Sequence, residues 1–225
     1  MQIGIISDLH ANPFALESAI EYFKSKNVEK VLCAGDIVGY SPLVNETIDF
    51  VKKHNIESII GNHDYYVMTG CPEKKSCLVR ECIARTKAII SGENLKFLWS
   101  LPKQKFVDLE GHRIKIVHGS PFNLLEEYIY PDKQFNPVDY RLDDEDLLIL
   151  GHTHHQMVKE VSAFSMVNPG SIGQPRDAYG FACFAIYDSS TRDIRLSRLE
   201  YDTTRMIRAI EKAGWPAILM KYFCR

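Results

Sequence analysis

At 225 residues the chain is long enough for one large domain with a sizeable core, and its 45% hydrophobic and 25% charged residues exclude a disordered or fibrous protein. The formal net charge of -2 gives no global basic surface for nucleic acid or a membrane. No apolar run approaches the roughly 18 residues of a spanning helix, and no basic leader precedes Ile3, so a cytoplasmic protein is expected. Six cysteines include no CxxC pair. Cys71, Cys77 and Cys82 lie close together in a helical segment, but their spacing fits no zinc pattern. They read as small semi-apolar residues or one opportunistic disulfide.

In chain order, residues 3–6 are a continuous apolar run that ends in Ser7-Asp8-Leu9-His10, as a buried strand with polar residues at its carboxyl end would. Pro13 then opens a segment with Phe14, Leu16, Ala19, Ile20 and Phe23 at near-helical spacing. A second strand over 31–34 runs into Gly35-Asp36, a helix follows over 44–54, and a third strand with Ile56, Ile59 and Ile60 runs into Gly61-Asn62-His63-Asp64. This β-α-β-α-β rhythm is that of a parallel sheet, whose ligands gather beyond the strand carboxyl ends.

Residues 65–101 read as a helical insertion. A hairpin over 106–117 ends in His118-Gly119-Ser120. The stretch 121–144, with three prolines and the aromatics Phe122, Tyr128, Tyr130, Phe135 and Tyr140, suits a long ordered loop, lying over a site or simply packed on the surface. A strand over 147–150 ends in Gly151-His152-Thr153-His154-His155. Paired strands over 156–167 precede a turn-rich segment at 168–177. Two further strands, over 181–187 and 194–199, lead to a helical tail over about 203–225.

Strand-end clusters thus supply Asp8, His10, Asp36, Asn62, His63, His118, His152 and His154. Carboxylate, imidazole and amide together suit divalent Mn, Fe, Co, Ni or Zn, and the absence of thiolates argues against a sulfur-rich structural zinc site. Five of the eight histidines fall in these clusters, each after an apolar strand, which favours ligation over five separate structural roles. His54, His112 and His155 read as structural.

These residues resemble the five ordered motifs of the calcineurin-like metallophosphoesterases: Asp8-Leu9-His10, Gly35-Asp36, Gly61-Asn62-His63-Asp64, His118-Gly119 and Gly151-His152-Thr153-His154. The stretch from Asn168 to Arg176 further resembles the small bacterial and archaeal phosphodiesterase branch, with diadenosine tetraphosphatase-like relatives. The resemblance implies a single domain over residues 1–225, folded as a four-layer α/β/β/α sandwich of two mixed sheets. It implies two divalent metal ions per chain. Asp8, His10 and His154 would hold the first, Asn62, His118 and His152 the second, and Asp36 would bridge both. A hydroxide held between the metals would attack phosphorus, with His63 as acid or as transition-state hydrogen-bond donor. Asp64 would orient His63 or cap a turn.

One departure narrows the substrate. The protein phosphatase branch of that family continues its second motif with an aspartate and a phosphate-gripping arginine, whereas Ile37-Val38-Gly39-Tyr40 has neither. A small phosphodiester or nucleotide is therefore the expected partner, with no membrane or nucleic-acid surface; a homo-oligomer stays open. Arg176 would either contact the phosphate or form a surface salt bridge. Tyr40 and the Tyr128/Tyr130 pair would either stack on an aromatic group or fill core. A dinucleoside polyphosphate hydrolase and a non-catalytic scaffold of the same fold are the alternatives.

Overall fold

The computed structural model describes residues 1–224. The first strand, β1 (Gln2–Ile6), sits at the centre of a five-stranded sheet because Ile3, Ile5 and Ile6 leave no solvent-facing side. Beside it β2 (Lys30–Cys33) and the two-residue β3 (Glu57–Ser58) run parallel, while β9 (Phe181–Asp188) and β10 (Ile194–Glu200) add an antiparallel edge. The second sheet has the order β4 (Gln104–Leu109), β5 (His112–Val117), β6 (Leu147–Ile149), β8 (Phe164–Pro169) and β7 (Gln156–Val161). Here β5, β6 and β8 are parallel and the two edges antiparallel, so both sheets are mixed.

The sheets pack face to face through Ile3, Ile5 and Leu32 on one side and Ile114, Ile116, Leu147 and Ile149 on the other. Each such buried side chain contributes about 1.5–3 kcal/mol of burial free energy. Against the outer face of the first sheet lie α1 (Pro13–Ser25) and α2 (Val44–Lys53), with Leu16, Ile20, Phe23 and Ile48 in the same cluster as Phe184. The N-terminus of α1 is built by its sequence, since the Asn12 side chain accepts the Ala15 amide at 3.1 Å and Pro13 begins the helix. The outer face of the second sheet, with Leu148, Met157, Phe164 and Met166, packs against Ile129 and Tyr140 of the long connection, whose one regular piece is a 3-10 turn at Pro137–Tyr140. The whole is the expected α/β/β/α sandwich of two mixed sheets.

The expected insertion is three helices, α3 (Asn62–Thr69), α4 (Cys77–Ile89) and α5 (Gly92–Ser100). Its cysteines are free: Cys82 is buried, Cys71 half-buried and Cys77 exposed. The tail comprises α6 (Thr204–Lys212) and a 3-10 helix at Ala217–Phe223. The third strand is shorter than its apolar run suggests. Ile59 still bonds to Cys33 O, but the next amide, of Ile60, goes to Pro102 O, so the chain leaves the sheet before Gly61. No helix among the described residues is long and apolar enough to cross a membrane.

Candidate dinuclear metal centre

The carboxyl ends of the parallel strands in both sheets converge on one place. Asp8 and His10 follow β1, Asp36 follows β2, Asn62 and His63 open α3, His118 follows β5, and His152 and His154 follow β6. All eight residues are buried. Among the described residues Asp8, His10 and His154 bring their ligand atoms within 4.8 Å of one another, as do His10, Asp36 and His63, and Asp8, Asp36 and His118. Asp36 is therefore shared between His10, whose Nε2 is 3.7 Å from Oδ2, and His118, whose Nε2 is 3.4 Å from it. Asn62 Oδ1 lies 3.0 Å from the same His118 nitrogen. His152 stands outside these triads, with its ring 5.0 Å from that of His118.

Backbone carbonyls fix which ring nitrogen faces inward. A carbonyl only accepts, so Nδ1–H of His10 donates to Val38 O at 3.1 Å, that of His118 to Ala34 O at 2.7 Å, and that of His154 to Gln174 O at 2.6 Å. Nε2 of each ring is thereby turned to the centre, the arrangement of a metal-ligating imidazole. His10 Nε2 and His154 Nε2 face each other at 3.0 Å, a contact that a cation held by both would relieve. His152 Nε2 is buried without a hydrogen-bond partner, and Asp8 Oδ1 has only the His154 Nε2 contact at 3.2 Å within hydrogen-bond reach. Unpartnered buried donor atoms of this kind are costly unless an ion completes them. The donor set fits two divalent metals, and the overlapping clusters form a two-metal site.

The backbone is unusual at the same residues. Asp8, His10, Asp36, His152 and His154 all have left-handed φ, between 45° and 69°. Non-glycine residues adopt that region rarely, and such conformations gather at functional sites. Gly61 is required for a different reason: a Cβ there would collide with the Asp36 carboxylate and amide, so only glycine lets the two loops touch. The turn-rich segment at 168–177, which begins at the end of β8, closes the site from the second sheet. Asn168 donates to Gly151 O at 2.6 Å and Thr153 Oγ1 at 3.0 Å, Ser171 Oγ donates to Asp8 O at 2.7 Å, and Gln174 supplies the carbonyl for His154.

Asp64 does not orient the His63 ring. Its carboxylate accepts the amides of Gly61 and Val38, each at 2.9 Å, and of Ile37 at 3.2 Å, while His63 Nδ1 is buried with no partner. A short acidic side chain at the third helical position reaches back to the helix start, and here it also ties down the loop after Asp36.

Electrostatics follow from this crowding. Burial opposes charge on His118, yet the Asp36 carboxylate outweighs it and raises the imidazole to about 9. Burial likewise works against the Asp36 carboxylate, but His118 holds it well below its usual range. Burial lowers His63 to about 4, so this ring is neutral at pH 7. Burial and the Asp36 charge push Asp64 up to about 7 against its three amide bonds.

Around the centre stand the other residues singled out in the sequence. The buried Tyr40 ring is 4.6 Å from that of His63 and 4.8 Å from that of His10. Tyr128 stacks on His152 at 3.8 Å, with Tyr130 parallel to it at 5.7 Å, so the long loop does reach the site. Arg176 is half-buried and its guanidinium makes no ion pair among the described residues. Asp8, Tyr40, Tyr128 and Tyr222 lie within its electrostatic reach. Of the remaining histidines, His54 stacks on Phe50, His112 Nδ1 meets the Tyr187 hydroxyl at 3.0 Å, and His155 meets Tyr130 edge-on.

Known proteins resemble this chain in sequence and fold. An uncharacterized protein of Methanocaldococcus jannaschii is 32% identical, over 95% of this chain and 93% of its own length. A phosphodiesterase of the same organism is 28% identical, over 76% of this chain and 83% of its own. The crystal structure of a metallophosphoesterase from Sphaerobacter thermophilus, 29% identical, superimposes with a TM-score of 0.85 over 99% of this chain and 98% of that one. The model of the calcineurin-like phosphoesterase superfamily domain matches residues 1–192, and the chain belongs to that superfamily.

Proposed function

We propose that the protein is a metal-dependent phosphodiesterase. The observation that carries this reading is the convergence of Asp8, His10, Asp36, Asn62, His118, His152 and His154, from both sheets, on one buried two-metal site. Asp8, His10 and His154 would hold one ion, Asn62, His118 and His152 the other, with Asp36 common to both. Bound there, two divalent cations supply charge neutralisation at the phosphoryl oxygens and an activated water as nucleophile.

The chain's own residues do the rest. His63 keeps one ring N–H in its neutral form and donates it to the leaving oxygen as negative charge develops there, as a neutral imidazole can. Arg176, without a carboxylate partner among the described residues, takes a phosphate oxygen. Tyr128 offers an aromatic face at the mouth of the site, which suits an aryl or nucleoside substituent. The relationship to the phosphodiesterase of M. jannaschii supports a diester over a monoester.

The stacked Tyr128 and Tyr130, with an arginine that has no ion-pair partner among the described residues, favour one second reading, a dinucleoside polyphosphate, in which Arg176 would meet a second phosphate. A panel of bis-aryl phosphate, aryl monophosphate, cyclic nucleotides and dinucleoside polyphosphates with Mn, Ni, Co, Mg and Zn separates these. Turnover of the diester above the monoester is expected. A protein that holds two metals per chain and cleaves no ester in the panel would be a scaffold instead.

A further inference from the structure

The segment after α6 lies beyond residues 1–192, which the superfamily domain model matches, yet it is built into the wall behind His63. The main-chain carbonyl of Tyr40 accepts the indole N–H of Trp215 at 2.7 Å in a buried bond. Tyr40 presents its ring to His63 at 4.6 Å. The preceding Gly39, at φ +132°, lies so near the imidazole that a Cβ there would collide with His63 Nδ1. Its carbonyl in turn accepts the Thr86 hydroxyl at 3.2 Å. The two residues that touch the His63 ring from behind are thus pinned at their carbonyls, one by α4 and one by the tail.

Trp215 is itself held firmly. Arg85 donates to Gly214 O at 3.0 Å and lies 5.5 Å from the indole centroid. The indole packs in one cluster with Cys82, Met206, Leu219 and Phe223. A buried indole N–H requires an acceptor, and this one is met by a residue in contact with the proposed leaving-group donor. No side chain cushions Gly39 from His63, so a shift of the 39–40 backbone passes directly to the imidazole. Misplacement by an ångström at a reacting group costs up to about 10²-fold in rate.

We propose that Trp215 is a positioning residue: through the Tyr40 carbonyl it sets the place of the His63 ring, and the tail thereby helps determine which leaving groups the centre releases. This rests on the reading of His63 as donor to the leaving oxygen.

The test is kcat for diesters of rising leaving-group basicity, from bis-nitrophenyl to diphenyl phosphate, in the wild type, Trp215→Phe, His63→Ala and the double variant, with metal content measured on each. Phenylalanine keeps an aromatic ring in the cluster and removes the N–H together with the volume of the second ring. Trp215→Phe is expected to retain both metals and to lose roughly tenfold on the poorest leaving group, a part of the about 10²–10⁴-fold that a positioned proton donor supplies. It should lose little on the nitrophenyl ester and add nothing in the His63→Ala background. An equal loss on every ester, or losses that multiply in the double variant, would overturn the positioning role. An unchanged leaving-group dependence in His63→Ala removes the His63 reading and this inference with it. Arg85→Gln, which frees Gly214 while leaving the indole in place, should act in the same direction more weakly and carries the test if Trp215→Phe fails to fold.

Discussion

Asp36 Oδ1 accepts the backbone N–H of His63 at 2.8 Å, while its Oδ2 faces His118 and His10. One carboxylate therefore joins the two halves of the metal centre to the backbone of the proposed donor. Replacing it disturbs metal binding and donor placement together.

Asp36→Asn keeps the shape of that residue and removes its charge. Both metals should be lost together, at an affinity cost beyond the about 10–100-fold that follows loss of an outer partner. Elemental analysis of the purified variant is the measurement. Retention of one full equivalent would show that Asp36 serves a single ion.

His63→Ala should keep both metals and lower kcat by about 10²–10⁴-fold, most for poor leaving groups. The ring also belongs to a triad with His10 and Asp36, so metal loss in this variant would assign it as a ligand. Burial lowers His63 to about 4, so on the proposed role the donor is expected to be the neutral ring. Wild-type kcat should then show no decline centred near 6.5 as pH rises.

Metal affinity should depend on His118. Its imidazole is raised to about 9 in the metal-free protein, so below that pH a proton occupies the nitrogen that the metal needs. Binding then releases a proton, and affinity rises with pH up to about 9 and levels off above it. For the metal-free fold the sign is opposite: the stability given by a raised histidine is full below its unfolded value near 6.5 and is lost as pH climbs through about 9. Titration calorimetry in buffers of differing ionisation enthalpy, with thermal melts of the metal-free protein, checks both directions.

Arg176→Ala should raise KM for the diester about tenfold or more with metal content unchanged, the order expected for losing a charge-assisted hydrogen bond. Lysine at that position should recover only part, since it cannot present the planar fork. Identical KM in wild type and Arg176→Ala would remove the arginine from the site.

The convergence of these polar residues was legible because they follow apolar strands, and a parallel sheet must bring strand ends together. Asp8 after Ile6 and His118 after Val117 are legible for that reason. Main-chain partners were not legible: nothing in the types of Val38, Ala34 or Gln174 marks their carbonyls as the acceptors that turn three imidazoles inward. Asp64 is legible only in part, because spacing alone does not say whether a carboxylate serves the next ring or the amides around it. Trp215 was missed altogether, since its bond to Tyr40 spans 175 residues and leaves no local pattern. The shortening of the third strand has a similar origin, an amide claimed by the distant Pro102 carbonyl.

The left-handed backbone at Asp8, His10, Asp36, His152 and His154 sets endurance against chemistry. Each is a position where glycine would relieve roughly 1 kcal/mol of strain, in a fold whose whole margin is about 5–15 kcal/mol. Glycine would also delete the buried bonds from His10 to Val38 O, from His154 to Gln174 O and from the His63 amide to Asp36, so the strain is held in place by the contacts that aim these side chains. Tension in the turns and grip on the side chains are two sides of one construction, and neither can be relaxed without the other.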